Sequence, residues 1–370
     1  MSEYQYYEFQ TLDQPLTKQQ QQKISQLSSR VRLNSRKAIF TYSYGDFPAN
    51  EDQILADYFD ALFYIANWGT VKLMFRLPIS LVNINELKKY TYDDFITIDK
   101  IGSYLILKIE INDEERSDWI EEDNSYLDDL IELRQQILAQ DYRVLYLAWL
   151  KAIELSKLYD DTPLKDISEP PIPHGLNQLS ESLKIFVELF EVNQNLIKVG
   201  ATNSSKITPI PDNIFLENIS KLSNIEKDDF LSRLLQEEAN LSLKLKQKLL
   251  ELSELTNNKT TIEKRTIKQL FTEAKKIAQS EEKRQKEEAR QKKIKELKAF
   301  ANQENQAWLN VDNLIQKSNP KAYDEAKMIL IKLKELAIYQ GKEVEFYHKL
   351  EDIKQKYSRR PTFIARLNNL

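Results

Sequence analysis

The sequence predicts an α+β fold in which an N-terminal sheet is followed by a mostly helical body. Within residues 1–115 the hydrophobic pattern alternates between strand-like and helical periods, and after residue 115 it is almost wholly helical. Hydrophobic residues make up 41% of the chain and charged residues 30%, a balance typical of helices with large solvated faces. The chain has only 6 glycines, so little of its length is available for flexible loops.

Residues 1–115 contain the elements of a split βαβ sheet, the ferredoxin-like arrangement with helices on one face. Thr17 is a candidate N-cap for a first helix, and residues 50–67 predict a second helix that ends near Gly69. Strand-like runs surround these helices. They are "YYEFQTL" (6–12), "RVRLNSRKAIFTYSYG" (30–45, interpreted as a hairpin), "TVKLMFRLP" (70–78), "FITID" (95–99) and "SYLILKIEI" (103–111).

The densest aromatic patch is "YFDALFYIANWGTVKLMFRLP", residues 58–78. Its apolar residues follow a helical period before Gly69 and a strand period after it, as expected of a helix that packs on the next strand. We therefore interpret the aromatic residues as core rather than as a ligand site. Lys72 and Arg76 alternate with the apolar positions, so they are predicted to lie on the other face of the sheet, as candidate interaction residues.

After the head domain, we predict three further segments. Residues 116–257 form a helical body, interrupted by a proline-rich linker or extended strap at 162–176. Residues 258–300 form a charged helix or helical linker, in which fourteen basic residues face seven glutamates for a local net charge of +7. Residues 301–370 form a tetratricopeptide-like helical end, with Pro320 at a helix start and Gly341 at a helix end.

Residue types exclude several kinds of catalytic site. The chain has no cysteine, which excludes disulfides, thiolate zinc sites and cysteine nucleophiles. Its two histidines, His174 and His348, lie in different segments, and neither has the partners of a catalytic triad or zinc site. The glycines are dispersed and form no phosphate-binding loop. We therefore predict no catalytic residue, cofactor or metal site.

Two charged regions leave alternatives open. The acidic stretch at 110–132 favours a solvated face, but it also suits a basic partner, including the 258–300 helix, or a carboxylate-dependent hydrolase. At the C-terminus, Arg359, Arg360 and Arg366 lie beside Phe363 in "SRRPTFIARL", a candidate interaction patch. The first interpretation of this tail is that Phe363, Ile364 and Leu367 pack on the preceding helices.

Four motifs together resemble a bacterial family of similar length whose activity is uncharacterised. They are "YYEFQTLDQPLT", "YGDFPANEDQILADYFDALFYIANWGTVKLMFRLP", "DYRVLYLAWL" and "EPPIPHGL". The C-terminal helices are also similar to those attached to SWIM zinc-finger proteins, although this chain lacks the cysteines of such a finger. The resemblance implies that residues 1–115 and 120–200 form one unit, and it transfers no functional residue.

From these observations we expect a non-enzymatic interaction protein, an adaptor or subunit of a bacterial assembly with a protein partner. The alternative is a nucleic-acid-associated protein that uses the 258–300 helix and the C-terminal arginines. A weaker alternative is the carboxylate-dependent hydrolase. The first residues lack the regions of a signal peptide, and no apolar run approaches the roughly 18 residues of a membrane span. We expect a cytoplasmic location without membrane partners.

Overall fold

The computed structural model describes residues 4–113, 116, 125–159, 167–207, 212–253 and 265–367. The chain divides into two compact units, residues 1–277 and residues 278–370. The predicted segments 1–115 and 116–257 therefore share the first unit, and the predicted segment 258–300 is divided at residue 277. The strands of the first unit are β1 (Gln5–Gln10), β2 (Arg32–Leu33), β3 (Lys37–Tyr42), β4 (Ala61–Ala66), β5 (Thr70–Pro78), β6 (Ile96–Ile101) and β7 (Tyr104–Asn112).

Helices make up most of the chain after the sheet. Within the described residues they are α1 (Lys18–Ser25), α2 (Glu51–Tyr58), α3 (Ile84–Leu87), α4 (Leu127–Leu130), α5 (Glu132–Leu138), α6 (Arg143–Tyr159), α7 (Glu181–Leu189), α8 (Gln194–Thr202), α9 (Asp212–Ile219), α10 (Asn224–Leu235), α11 (Leu241–Glu251), α12 (Ile267–Ala301), α13 (Glu304–Gln316), α14 (Pro320–Gln340), α15 (Glu343–Lys356) and α16 (Pro361–Leu367). No helix in the described ranges has the length and apolar character needed to cross a membrane.

The sheet has seven strands in the order β2-β3-β1-β4-β5-β7-β6, and each neighbouring pair is antiparallel. This confirms the predicted order of a sheet followed by a helical body. The ferredoxin-like detail is not confirmed, because the described sheet has seven strands, of which β5, β7 and β6 extend it as antiparallel neighbours. The hairpin interpreted at residues 30–45 is confirmed as the pair β2–β3.

The helix predicted over residues 50–67 is shorter than its apolar stripe indicates. Helix α2 ends at Tyr58, and residues 61–66 form β4 between β1 and β5. Every residue of β4 is buried, so its apolar run has no polar face to reveal the strand period. Gly69 lies in the β4–β5 turn with φ of +96°, where an added Cβ would stand 1.9 Å from the carbonyl oxygen of Asp113. Only glycine fits this turn.

Both faces of the sheet are covered. On one face, Val71, Leu73 and Phe75 of β5 belong to a large core that includes residues of α4 to α8. On the other face, Met74 belongs to a smaller core with residues of α1 and α2. Lys72 and Arg76 share this second face with Met74, as the strand period predicts. The face is closed over Met74, so any open site on it lies toward an end of the strand.

The described part of the proline-rich strap lies extended against the start of α12. The backbone N–H of Glu169 donates to the carbonyl of Arg265 at 2.8 Å, and Ser168 forms a β-bridge with Thr266. This supports the extended-strap interpretation for residues 167–173. Residues 174–176 of the strap form a turn, and residues 162–166 lie outside the described residues.

The second unit contains the helices α13 to α16 and most of α12. Asn319 caps α14 with Pro320 at its first position, and Gly341 ends that helix in the left-handed region, as predicted. Phe363 of α16 is fully buried, with its ring 5.4 Å from that of Tyr323. The tetratricopeptide-like detail of this end is not confirmed.

Candidate protein interaction surface

Arg76, a predicted interaction residue, is held inside the first unit. Its guanidinium lies 2.9 Å from the carboxylate of Asp60 and donates to the carbonyl of Ala56 at 2.8 Å. The group also stacks on the Tyr104 ring at 4.6 Å. With its donors bound in this way, Arg76 stabilises the end of the sheet and is not available as a surface contact.

Asp60 joins Arg76 to a second buried arginine. Arg134 of α5 lies 3.2 Å from Asp60 and 2.9 Å from Asp13, and the side chains of Arg134 and Asp60 are completely buried. The second oxygen of Asp60 accepts the backbone N–H groups of Leu12 and Asp13. Burial alone raises the pKa of Asp13, but the hydrogen bonds from Arg134 outweigh it and hold that pKa below its usual range. Two arginines thus compensate two carboxylates, as a structural network requires.

Two more buried carboxylates have the same character. Glu8 lies 2.9 Å from Lys37 and accepts the backbone N–H of Leu127 at 3.1 Å. Glu169 accepts from Arg265 at 2.8 and 2.9 Å, and from the hydroxyl of Tyr146. Each carboxylate is matched by a cation, so these clusters hold the fold together.

The acidic stretch at 110–132 is only partly described, because residues 114–115 and 117–124 lie outside the described residues. Within the described ranges, no group of three histidine or carboxylate side chains is placed to hold a metal ion. Among the acids of the stretch that are described, Asp128 pairs with Lys37 at 2.9 Å and Glu110 lies 3.6 Å from Lys72. These pairs join neighbouring elements of the first unit.

The C-terminal patch predicted from Arg359, Arg360, Phe363 and Arg366 is largely internal. Phe363 is buried, Arg360 donates to the carbonyl of Ile315, and Arg366 lies 2.6 Å from Asp324. Of this group, Arg359 is exposed, and the other three are half-buried or buried. The prediction of an exposed Phe363 is wrong, because α16 packs on α14. The interpretation of this segment as a packed tail is confirmed.

The basic helix presents mixed charges to solvent. Along its exposed part, Arg284 pairs with Glu288 at 3.4 Å, Arg290 pairs with Glu287 at 3.6 Å, and Lys286 pairs with Glu282. Its two aromatic residues, Phe271 and Phe300, are both half-buried, and the Nζ of Lys157 lies 4.0 Å from the centroid of the Phe271 ring. Such i,i+3 and i,i+4 pairs stabilise a solvated helix and leave less positive charge for a polyanion.

The most exposed apolar surface of the first unit lies on α10. Leu231, Leu234 and Leu235 are 59%, 62% and 87% exposed, and they follow the i, i+3, i+4 spacing of one helix face. We call these three residues the leucine stripe. Ile225 of α10 is 82% exposed and Leu216 of α9 is 69% exposed. Helix α10 has no buried residue.

The opposite side of α10 explains why the helix is nevertheless well formed. Ser223 and Glu226 form a capping box at its start. At its end, Arg233 pairs with Asp229 at 3.0 Å and with Glu238 at 2.6 Å, and Lys244 of α11 joins Glu238 at 2.5 Å. Hydrogen bonds from Arg233 and Lys244 lower the pKa of Glu238 to about 2. Polar contacts therefore anchor α10 while its leucines face solvent.

The surroundings of the leucine stripe are acidic. Between residues 213 and 238 the sequence contains six acidic and three basic residues. Asp228 and Lys227 each precede Leu231 by about one helical turn, and the exposed Glu237 follows the end of the helix. The C-terminal end of a helix carries a partial negative charge of its own. This surface is thus apolar at its centre and negative at its edge.

The sequence pattern predicts that the α10 segment is helical, but it does not predict that the leucine stripe is exposed. Leucines at i, i+3 and i+4 are the usual signal of a buried face, and nothing in their spacing separates a core contact from a partner contact. The buried arginine network was also missed. Its signal is a charged residue inside an apolar run, as with Asp60 in "YFDALF" and Arg134 in "IELRQQIL".

Comparison with known proteins adds no relative. No protein-family model matches the chain, and searches of curated proteins and of solved structures find no significant similarity. The resemblance to a bacterial family, with C-terminal helices like those of SWIM proteins, therefore stays a prediction from the motifs.

Proposed function

We propose that this chain is a non-enzymatic interaction protein, an adaptor or subunit of a larger assembly, and that it binds a helix of a partner protein on the leucine stripe. The observation that supports this proposal is the exposure of Leu231, Leu234 and Leu235 on a helix without buried residues. Contiguous exposed apolar side chains with a polar rim are typical of protein interaction sites.

The proposed occupant is an amphipathic helix with basic residues beside its apolar face. Side chains at i, i+3 and i+4 match the spacing by which one helix packs on another. Asp228, Glu237 and the C-terminal end of α10 outweigh the single Lys227 on this face, so the rim carries a net negative charge that favours lysine or arginine on the partner. Full burial of a leucine side chain contributes about 1.5–3 kcal/mol, so two or three such contacts account for a measurable affinity.

Site-specific cross-linking tests the occupant. A photo-reactive p-benzoylphenylalanine replaces Leu235 in the full chain, and the same residue at Leu309, which is 60% exposed on α13, is the matched control. Irradiation in the cells that produce the protein is followed by mass-spectrometric mapping of the cross-linked segment. We expect position 235, but not 309, to cross-link to a helical segment with clustered leucines and net positive charge.

Three outcomes of this experiment contradict the proposal. A cross-link from position 235 to a second copy of this chain assigns the stripe to self-association. A cross-linked segment that is acidic or extended contradicts the proposed chemistry of the partner. Equal cross-linking from positions 235 and 309 shows that α10 has no special role.

The alternatives receive less support from the geometry. For nucleic acid, the exposed cations of α12 are interspersed with paired glutamates, and the half-buried Phe271 offers little stacking surface. For a hydrolase, the buried carboxylates Glu8, Asp60 and Glu169 are each neutralised by a lysine or an arginine. The helix pairing of α13 and α14 supports a tetratricopeptide-like role for the second unit, as a further part of the interaction function.

A further inference from the structure

An open cleft lies at one end of the sheet face that carries Lys72. Its volume is about 280 Å³, close to the lower end of ligand-binding clefts. Aromatic side chains form much of its wall: the Tyr7 and Tyr64 rings are 4.5 Å apart, and Tyr7 stacks on Phe47 at 5.1 Å. Trp68, which follows β4, lines the cleft and is 41% exposed.

The contacts of the Lys72 side chain show that this cleft stabilises a positive charge. Its ammonium lies 2.7 Å from Glu51, 3.6 Å from Glu110 and 5.2 Å from the centre of the Tyr64 ring. An aromatic face beside carboxylates is the environment in which organic cations bind favourably. The chain thus places one alkylammonium group of its own in the cleft.

The carboxylates that line the cleft outnumber its ammonium group. Three carboxylates, those of Asp46, Glu51 and Glu110, line it against the single ammonium of Lys72, for a net charge of −2. Across the ranges that the structure describes, no hydrogen bond or ion pair engages the exposed carboxylate of Asp46. An entering cation therefore finds a free carboxylate as well as the exposed ring of Trp68.

The remaining polar groups of the wall are neutral. The hydroxyls of Tyr7 and Tyr64 both donate to the side-chain oxygen of Gln5, at 2.9 and 3.1 Å. Burial raises the pKa of both hydroxyls, so neither adds a charge near pH 7. The charge of the cleft is therefore set by its three carboxylates and Lys72 at that pH.

We infer that this cleft binds an organic cation, a primary ammonium or guanidinium group on an aliphatic stem. The cation lies between Trp68 and Asp46, beside the ammonium of Lys72. The same chemistry is present in a free amine and in a lysine or arginine side chain of another protein. This inference is independent of the leucine stripe on α10, which belongs to other helices.

Titration of the full chain with n-butylammonium and n-butylguanidinium at low salt tests the inference, with 1-butanol as the uncharged control. The indole N–H cross-peak of Trp68 is followed by NMR and assigned with Trp68→Phe among the 4 tryptophans. We expect a saturable shift with a Kd on the order of 1 mM for both cations and none for butanol. An equal response to butanol would overturn the inference.

Two variants sharpen the test. Asp46→Asn is expected to weaken binding about fivefold, as for the loss of one exposed ion pair, whereas Asp99→Asn on the exposed part of β6 leaves it unchanged. Lys72→Met removes the competing ammonium, so it is expected to strengthen binding. Unchanged affinity in Asp46→Asn, or weaker binding in a folded Lys72→Met protein, contradicts the proposed site.

A titration with peptides distinguishes a free amine from a protein side chain as the source of the cation. The peptide acetyl-Gly-Lys-Gly-amide and its N-acetyl-lysine counterpart are titrated in the same way. Tighter binding of the lysine peptide than of n-butylammonium assigns the cleft to protein side chains, and weaker binding assigns it to free amines. Equal binding of the acetylated and unacetylated peptides overturns the inference, because the acetylated side chain carries no charge.

Discussion

Helices α6 and α10 both carry several leucines, yet their surroundings are opposite. Every residue of α6 from Arg143 to Ile153 is buried, and the helix packs against α7, α8 and β6. Helix α10 has no buried residue, and its three leucines of the stripe face solvent. The two helices belong to the same unit. They differ in composition as well as in position, because α6 is mostly apolar whereas α10 carries charged residues beside its leucines.

The comparison indicates what the uncovered leucines contribute. In α6, apolar residues on all sides are needed because the sheet and other helices surround it. In α10, the capping box and the ion pairs at Arg233 stabilise the helix without help from the leucines. The leucine stripe therefore adds little to folding, and its apolar surface is available for a partner.

The largest expected effect on stability comes from shortening a buried side chain in α6. Leu150 is fully buried, so Leu150→Ala removes packed methyl groups and leaves a cavity. We expect the free energy of unfolding to fall by about 2–5 kcal/mol, measured by urea denaturation with circular dichroism. Leu234→Ala is the matched control on α10. Equal losses in the two variants would show that α10 is as deeply packed as α6.

A smaller effect is expected at the polar contact of α6. Tyr146→Phe removes the hydroxyl that donates to the buried Glu169. The free energy of unfolding should fall by about 1–3 kcal/mol, because a buried acceptor loses one donor. Tyr44→Phe, at a residue that is 80% exposed, should stay within about 0.5 kcal/mol of wild type. No loss in Tyr146→Phe would exclude a stabilising role for this contact.

The ion pairs that anchor α10 predict a pH dependence. The pKa of Glu238 is about 2 in the folded chain, below its ordinary value of 4.5. Its contribution to stability is therefore present above pH 4.5 and is lost as the pH falls toward 2. Carbon-13 NMR titration of the Glu238 carboxyl should show the low pKa, and Arg233→Gln should raise it toward 4.5. A wild-type pKa near 4.5 would mean that these pairs do not form in solution.

The smallest expected effect on folding is at the leucine stripe itself. Leu235→Ser replaces a side chain that is 87% exposed, so the free energy of unfolding should change by less than about 0.5 kcal/mol. Urea denaturation alongside Leu309→Ser measures this directly. A loss of 2 kcal/mol or more, the order expected for a buried leucine, would place Leu235 in the core and remove it as a binding residue.

Much of the fold was predictable from local patterns. The period-2 run at β5, the cap at Thr17 and the helix ends at Pro320 and Gly341 all follow from residue types at fixed spacing. The β4 strand was missed because both of its faces are buried, which removes the alternation that identifies a strand. Strand order was not predictable either, since it depends on pairings between distant residues.

The candidate surface was predictable only in part. The spacing of Leu231, Leu234 and Leu235 predicts an apolar helix face, but whether that face is covered depends on elements far away in the chain. The prediction of an exposed Phe363 was wrong for the same reason: a distant element covers it, because α16 packs Phe363 against Tyr323 of α14. Lys72 was predicted to lie on the second sheet face, but the cleft around it depends on Phe47 and Glu51, which the pattern of β5 does not include.

The central claim is tested most directly by titrating the segment cross-linked from position 235, as a synthetic peptide, into the purified full chain. Isothermal titration calorimetry would compare wild type, the Leu231→Ser/Leu235→Ser double variant and the Leu309→Ser control. We predict that the double variant binds at least about tenfold more weakly, with a smaller negative heat-capacity change, while the control matches wild type. Equal affinities in all three proteins would contradict the claim that the leucine stripe binds the partner.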